Sequence, residues 1–339
     1  MDVLSEVLKV VKLQGALFYN AEFSAPWSVY AASSSGLARY FSTPSEHVII
    51  YHLVTEGRAS ARLESGETVT LQAGDIVMIP HGDSHILENG KATKTLKDSE
   101  HLDEVLSQGL KLWRLGGGGE PTKLVCGFMA YDPRFGEAFL RGLPALFKVS
   151  IRNDAAGRWL ENSIRFSVDE GGEVVPGRDA VLAKLSEVLF LETLRAYLAQ
   201  LPPDGTGWLA GARDPEVGKV LTLMHRSPAH PWTIASLANE AGISRSVLAE
   251  RFRQYLNGPP MAYLTRWRLQ IGAQMLTSTS HSVAQIAAEV GYESEAAFNR
   301  AFKRQFELPP AQFRTRSKSD THKQSDGSRE RVLKVAAAR

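Results

Sequence analysis

The stretch from Trp232 to Arg314 says nearly the same thing twice, and that repetition constrains the chain more than anything else in it. The first copy runs Ile234-Ala235-Ser236-Leu237-Ala238-Asn239-Glu240-Ala241-Gly242-Ile243-Ser244, then Val247-Leu248, Arg251 and Phe252. The second runs Val283-Ala284-Gln285-Ile286-Ala287-Ala288-Glu289-Val290-Gly291-Tyr292, then Ser294, Phe298, Arg300 and Phe302. The offset is 49 from Leu237 to Ile286 and from Gly242 to Gly291. It is 50 from Ser244 to Ser294, Leu248 to Phe298 and Phe252 to Phe302, so one residue has been added in the turn. A repeat of this kind sets the architecture before composition does.

Each copy reads as helix, turn, helix. Ile234, Leu237, Ala238 and Ala241 recur at helical spacing. Gly242 permits the left-handed backbone that ends a helix. Ser244 follows as an N-cap, its hydroxyl able to accept from a free backbone N–H. Leu248 and Phe252, four apart, put two large apolar groups on one face. Gly291, Ser294, Phe298 and Phe302 repeat the logic. A single copy would be explained as well by a generic αα corner. Two matched copies with basic exposed positions point instead to a pair of helix-turn-helix units, whose second helices enter the DNA major groove.

These residues carry a resemblance to the DNA-binding domain of the AraC/XylS family of bacterial transcription regulators. The match comprises Trp232-Thr233, Leu237-Ala238, Gly242, Ser244, Arg251-Phe252, Pro260, Tyr263-Leu264, Arg266-Trp267-Arg268, Ile286-Ala287, Gly291-Tyr292, Ser294, Phe298, Arg300-Ala301-Phe302-Lys303, Pro310 and Phe313-Arg314. The sequence departs from the family where Asn257 and Glu307 replace the usual Gly after each second helix. Asn tolerates a positive φ and Glu less so. The resemblance implies double-stranded DNA and RNA polymerase as partners.

Charge is distributed as that reading requires. Residues 216–316 hold 12 Lys/Arg against 7 Asp/Glu, the tail beyond Arg316 holds 6 against 3, and residues 1–215 hold 21 against 27. An acidic front and a basic back are expected where only the back meets nucleic acid. Cys126 is the only cysteine, which excludes an intrachain disulfide and suits a reducing compartment. Asp2 and Glu6 stand where a signal peptide needs positive charge, and no stretch reaches the roughly 18 apolar residues of a membrane span. The expected location is cytoplasmic, with no membrane partner.

The chain before the repeats divides into further segments. Residues 3–13 place Val3, Leu4, Val7, Leu8 and Val11 on one helical face. From Leu17 to about Val149, short apolar runs alternate with turns: Val48–Val54, Ala59–Leu63, Val69–Leu71, Ile76–Ile79 and Leu124–Ala130. This texture predicts a β-barrel or sandwich. Gly74, Pro80, Gly82, His85 and Asn89 are spaced like the second motif of the cupin barrel. The first motif is degenerate: counted back from Gly57, Ile50 stands at the usual Glu position and Pro44–Glu46 where the His pair falls. With His52-Leu53-Val54, Cys126-Gly127 and Leu143-Pro144 added, the block resembles the cupin-type sensor of one AraC branch. That resemblance implies a small-molecule effector. Residues 90–111 are expected to be a mobile insertion and Gly116–Gly119 a flexible surface loop, since Glu120-Pro121 follows rather than the Lys of a phosphate loop.

His52, His85 and Cys126 lie on three candidate strands and are of the right type for a zinc site. The alternative is a packed core His, a turn His and a buried structural Cys. His81 is expected in an exposed turn. Asp179 to Gln200 reads as a helix whose stripe of Val181, Leu182, Leu185, Val188, Leu189, Leu194 and Leu198 either packs on the barrel or forms a homodimer seam.

The expected organisation is therefore two-domain. Residues 1–200 form an all-β cupin-like sensor and dimerisation barrel with flanking helices, and 201–213 form a linker. Residues 214–316 form an all-α domain of two helix-turn-helix units joined by a long helix from Met261 to Leu276, and 317–339 a disordered basic tail. Helical geometry puts Arg245, Ser246, Ala249, Glu250 and Arg253 on the outer face of the first recognition helix, and Glu295, Ala296, Asn299, Arg300 and Lys303 on that of the second. Arg300 suits guanine and Asn299 adenine; Glu250 suits cytosine N4 or orients a neighbouring Arg. Arg253, Lys303 and Arg304 suit phosphates. The function expected is a sequence-specific, effector-responsive transcription regulator that is not an enzyme. The alternatives are a metal-responsive regulator and a cupin enzyme fused to a DNA-binding domain.

Overall fold

A computed structural model describes residues 13–34, 47–101, 112–131, 140, 142–153, 155–169, 176–201 and 207–316. By internal contacts the described residues separate into two units, one of residues 13–131 and 143–201 and one of residues 207–316 that also takes Leu140 and Gly142. The expected N-terminal helix and C-terminal tail lie outside the described residues, except that Leu13 opens a strand.

The first unit holds eleven described strands: β1 (Leu13–Ser24), β2 (Trp27–Ala31), β3 (Val48–Glu56), β4 (Arg58–Leu63), β5 (Thr68–Gln72), β6 (Asp75–Ile79), β7 (His85–Asn89), β8 (Leu96–Lys97), β9 (Leu112–Gly116), β10 (Pro121–Tyr131) and β11 (Phe147–Ser150). They form a six-stranded sheet in the order β11-β6-β3-β10-β1-β9 and a five-stranded sheet in the order β5-β4-β7-β2-β8. The shared core between the sheets takes alternate residues, among them Tyr19, Phe23, Ile50, Val54, Leu63, Leu87, Leu124 and Phe128. Strand β4 shows that alternation, buried at Ala59, Ala61 and Leu63. Strand β3 is buried on both faces because a helix covers its outer side, so its sequence reads as a continuous apolar run.

That covering helix is α2 (Arg178–Gln200), packed beside α1 (Ala155–Asp169). Tyr51 points outward from β3, its ring lying over Gly127, where an added Cβ would sit 2.3 Å from the ring. Its hydroxyl is 2.9 Å from the Ser186 hydroxyl of α2. The apolar stripe of α2 splits in two: Leu182, Leu189 and Leu194 are buried, while Val181 and Val188 stay exposed.

Three expectations need correcting here. The stretch from residue 90 is ordered at least to His101, because Leu96–Lys97 pairs in parallel with Val29–Tyr30 and Asp98 accepts from the Ala32 N–H. The glycine run is a hydrogen-bonded corner rather than a loose loop. Gly117 N–H donates to Ser24 O, Gly118 N–H to Ser24 Oγ and Gly119 N–H to Ala25 O. A Cβ at Gly116 would lie 2.0 Å from Ser24 O, so glycine is there for close approach. His81 is half-buried in its turn, with Nε2 3.1 Å from Leu143 O.

The second unit is helical: α3 (Trp208–Arg213), α4 (Pro215–Arg226), α5 (Ile234–Ala241), α6 (Arg245–Leu256), α7 (Pro260–Ser278), α8 (Val283–Glu289), α9 (Glu295–Phe306) and α10 (310–316). Helix α3 stands within the segment expected to be linker, where Gly and Pro punctuation outweighed the apolar Trp208-Leu209-Ala210. The caps follow the sequence signals. Thr233 and Ser282 each complete a capping box, and Ser244 and Ser294 accept from the N–H groups of Val247 and Ala297. Asn257 and Glu307 are the described non-glycine residues at positive φ, 52° and 62°, the left-handed positions where glycine was missing.

Candidate nucleic-acid interface

The two recognition helices are α6 and α9. Their inner faces are fixed by Leu248 and Phe252, and by Phe298 and Phe302, all fully buried. The partners come from the preceding helices, Leu237 and Ala238 of α5 and Ile286 and Ala287 of α8. Helix α7 approaches α9 closely enough that a Cβ on Gly272 would sit 2.9 Å from the Phe298 ring. The second unit adds a cluster of rings: Phe298–Phe302 centroids at 5.3 Å, Phe302–Phe306 at 4.5 Å and Phe302–Phe313 at 5.3 Å. The joining helix α7 spans 19 residues, about 28 Å at the helical rise.

With the apolar faces turned in, the expected contact residues face out. Arg245, Ser246, Glu250, Arg253, Glu295, Ala296, Arg300, Lys303 and Arg304 are exposed, and Ala249 and Asn299 are half-buried. Ala249 and Asn299 occupy equivalent places, 50 apart, so the two helices present their outer faces in the same register.

Cations fall into two groups. Arg245, Arg253, Arg300, Lys303 and Arg304 form no ion pair among the described residues. Arg251, Arg268 and Arg314, by contrast, are engaged internally. Arg251 Nη1 donates to Asp214 Oδ2 and to Glu216 Oε2, each at 2.7 Å. Arg268 donates to the carbonyls of Pro228 and His230, pinning the turn that leads into α5. Arg314 donates to the carbonyls of Leu276 and His281, pinning the turn that leads into α8. Arg251, beside Phe252, is read as structural from the sequence, but nothing local marks Arg268 and Arg314 in the same way; the partners are 33 to 40 residues away.

Under α7 lies a second feature that sequence reasoning passed over. His225 stacks on Trp267 with centroids 3.9 Å apart, and its Nε2 is 2.8 Å from the Tyr263 hydroxyl, which also accepts from Trp208 Nε1 at 2.8 Å. Burial lowers the His225 pKa to about 3, so the ring is neutral.

In the barrel, His52 and His85 come together with Nε2 atoms 2.7 Å apart. His85 Nδ1 lies 2.9 Å from Asp83 O, which must accept, so His85 Nδ1 carries the proton and its Nε2 accepts from His52 Nε2–H. That tautomer leaves His52 Nδ1 as a buried acceptor without a hydrogen-bond donor. Burial lowers both imidazole pKa values, helped at His52 by the facing His85. Cys126 stands opposite His52 on β10, but its thiol bonds to Tyr19 and burial pushes it up to about 12. The expected zinc set of His52, His85 and Cys126 therefore does not assemble. Two nitrogens bound to one tetrahedral zinc would stand about 3.3 Å apart, wider than the 2.7 Å between these two. Among the described residues no group of three or more His, Cys, Asp or Glu could hold a metal ion.

A cupin barrel followed by a tandem helix-turn-helix defines a class of regulator, and comparison with known proteins agrees. A family model described as Cupin matches residues 2–199, and one described as Helix-turn-helix domain matches residues 237–316. The HTH-type transcriptional regulator AlkR of Acinetobacter baylyi is 31% identical over 94% of this chain and 100% of its own. The RCS-specific HTH-type transcriptional activator RclR of Escherichia coli is 30% identical over 93% of this chain and 98% of its own. Among solved structures, an AraC-type DNA-binding regulator from Chromobacterium violaceum is 28% identical over 31% of this chain and 95% of its own, with a TM-score of 0.30. The chain belongs to the AraC-type transcriptional regulators that carry an N-terminal cupin domain, and its function is DNA-binding control of transcription. No helix among the described residues is long and apolar enough to cross a membrane.

Proposed function

We propose that α6 and α9 are the reading helices and that Arg245, Ser246, Ala249, Glu250, Arg253, Glu295, Ala296, Asn299, Arg300, Lys303 and Arg304 form the DNA surface. The observation that carries this is the division of the arginines: Arg251, Arg268 and Arg314 are consumed by internal acceptors, whereas Arg245, Arg253 and Arg300 stand exposed on the outer faces. Arg300 reads guanine through its planar fork, and Arg253, Lys303 and Arg304 neutralise phosphate. Selection of bound duplexes from a random pool should return two short conserved blocks about one helical turn apart. A pool that is bound but shows no enriched sequence would refute the reading.

The barrel is the effector domain in this reading, and the protein acts in the cytoplasm. Its support is the apolar interior with an unpartnered acceptor at His52 Nδ1 and an unpartnered donor at Trp27 Nε1. A second copy of the chain is the partner for α1 and α2. Trp159 and Phe166, 60% and 66% exposed, stand seven apart on α1, and Val181 and Val188 seven apart on α2. Arg158 and Arg165 share the exposed side of α1, and Glu187 lies beside Val188. A twofold pairing can bring opposite charges together around that apolar strip. Sedimentation of a Trp159→Asp/Phe166→Asp variant should show a shift to monomer; an unchanged sedimentation coefficient would remove the assignment.

A further inference from the structure

We propose that Asp214 is a positioning residue for the first reading helix. It touches no DNA in this scheme. It sets the angle at which α6 presents its outer face, and it does so for α6 alone.

Asp214 sits between α3 and α4, on the segment through which the chain enters the second unit. Its side chain is 8% exposed and uses both oxygens. Oδ1 accepts from the N–H groups of Glu216 and Val217, at 3.1 and 2.9 Å, capping α4. Oδ2 accepts from Arg251 Nη1 at 2.7 Å and from the Tyr255 hydroxyl at 3.3 Å. Arg251 and Tyr255 are four apart, on one side of α6. At 100° per residue that side is about half a turn away from Ala249, Arg253 and Ser246. A rotation of α6 about its axis therefore cannot occur without breaking the contacts to Asp214. The same junction is packed without slack: a Cβ on Gly211 would lie 2.9 Å from Tyr255 Cβ, and one on Gly218 would lie 2.4 Å from Ala212 O.

Among the described residues the second reading helix has no such tether. Fifty residues on, Arg251 is replaced by Ala301 and Tyr255 by Gln305. Helix α9 is held by tilted and edge-on phenylalanine rings instead. The inference rests on the reading that α6 lies on DNA, and it predicts an effect confined to one half-site.

The test uses the full chain with the Asp214→Asn substitution. Asn caps a helix as well as Asp does, so α4 and the fold are retained, while one of the two charges that hold Arg251 is lost. Duplexes carrying single base changes in each conserved block are titrated against both proteins, with the block under α6 assigned by cross-linking from a reactive group placed at position 246. Discrimination in the α6 block is expected to fall roughly tenfold, with discrimination in the α9 block unchanged. An Asp214→Asn/Glu216→Gln variant should lose more in the same block. Equal losses in both blocks, or unchanged discrimination in both, would overturn the proposal. An Arg253→Ala variant distinguishes the two failures. If it weakens binding while Asp214→Asn changes nothing, the positioning role alone falls; if it too binds like the unaltered chain, α6 is not on DNA and both readings fall.

Discussion

At the scale of single residues, the same side-chain type does opposite jobs according to what stands across from it. Arg300 and Arg251 are both on recognition helices, but Arg251 is satisfied by two carboxylates and Arg300 projects into solvent. Arg300→Ala should weaken binding to the selected site by about 1–3 kcal/mol and spare non-specific DNA, whereas Lys303→Ala should lower the salt slope by about 1. Titrations at several salt concentrations separate the two; uniform loss across sequences for Arg300→Ala would reassign it to phosphate. Glycines divide in the same way. Gly291 has φ +86° and faces Ala229 Cα at 2.7 Å from an added Cβ, while Gly242, at φ +72°, faces open space. Gly242→Ala should cost about 1 kcal/mol, the left-handed backbone alone. Gly291→Ala should cost clearly more in the same chemical-denaturation measurement, because backbone must also move.

At the scale of elements, the helices of the second unit are ended by their own sequence. Capping hydroxyls start α5, α6, α8 and α9, and left-handed residues stop α5, α6 and α9. Glu307 is the least suited of these stops, since its Cβ and charged side chain gain nothing from φ 62°. Glu307→Gly should raise stability by about 0.5–1 kcal/mol, relief of left-handed strain less the added freedom of glycine when unfolded. Asn257→Gly should be close to neutral, because Asn already tolerates that conformation. Equal effects at the two positions in urea unfolding would show that the strain account is wrong.

At the scale of the whole molecule, three imidazoles are held neutral by burial: His52 and His85 in the barrel and His225 under α7. Their folded pKa values lie below the unfolded value of about 6.5. Below that pH the unfolded chain binds protons that the folded chain refuses, so stability falls as pH drops. The slope is about 1.4 kcal/mol per pH unit for each histidine until its folded pKa is passed. For His225 that value is about 3, so its contribution persists through the acid range. The urea midpoint should decline from pH 7 to pH 5, and His225→Gln should make the decline shallower. A variant with the original slope would mean that His225 is protonated in the folded state.

Local signals carried the reading heads and many of the strands. Periodicity of 3.6, capping residues and glycine stops act within a few positions, so the two helix-turn-helix units, and β3 to β6 with β10, were legible from the chain alone. Other elements were not. Helix α1 has Trp159 and Phe166 on its outer face, which blurs its pattern, and β8 is two residues that exist only by pairing with β2. The fate of long-range polar groups was equally hidden. That His52 would meet His85 while Cys126 turned to Tyr19, and that Arg251 would be spent on Asp214 while Arg300 stayed free, depends on sheet register and helix packing over tens of residues. Sequence set which faces are apolar, because burial of alternate or fourth residues is a local rule; tertiary structure alone decided which polar groups find partners, because a hydrogen bond needs both ends within about 3 Å.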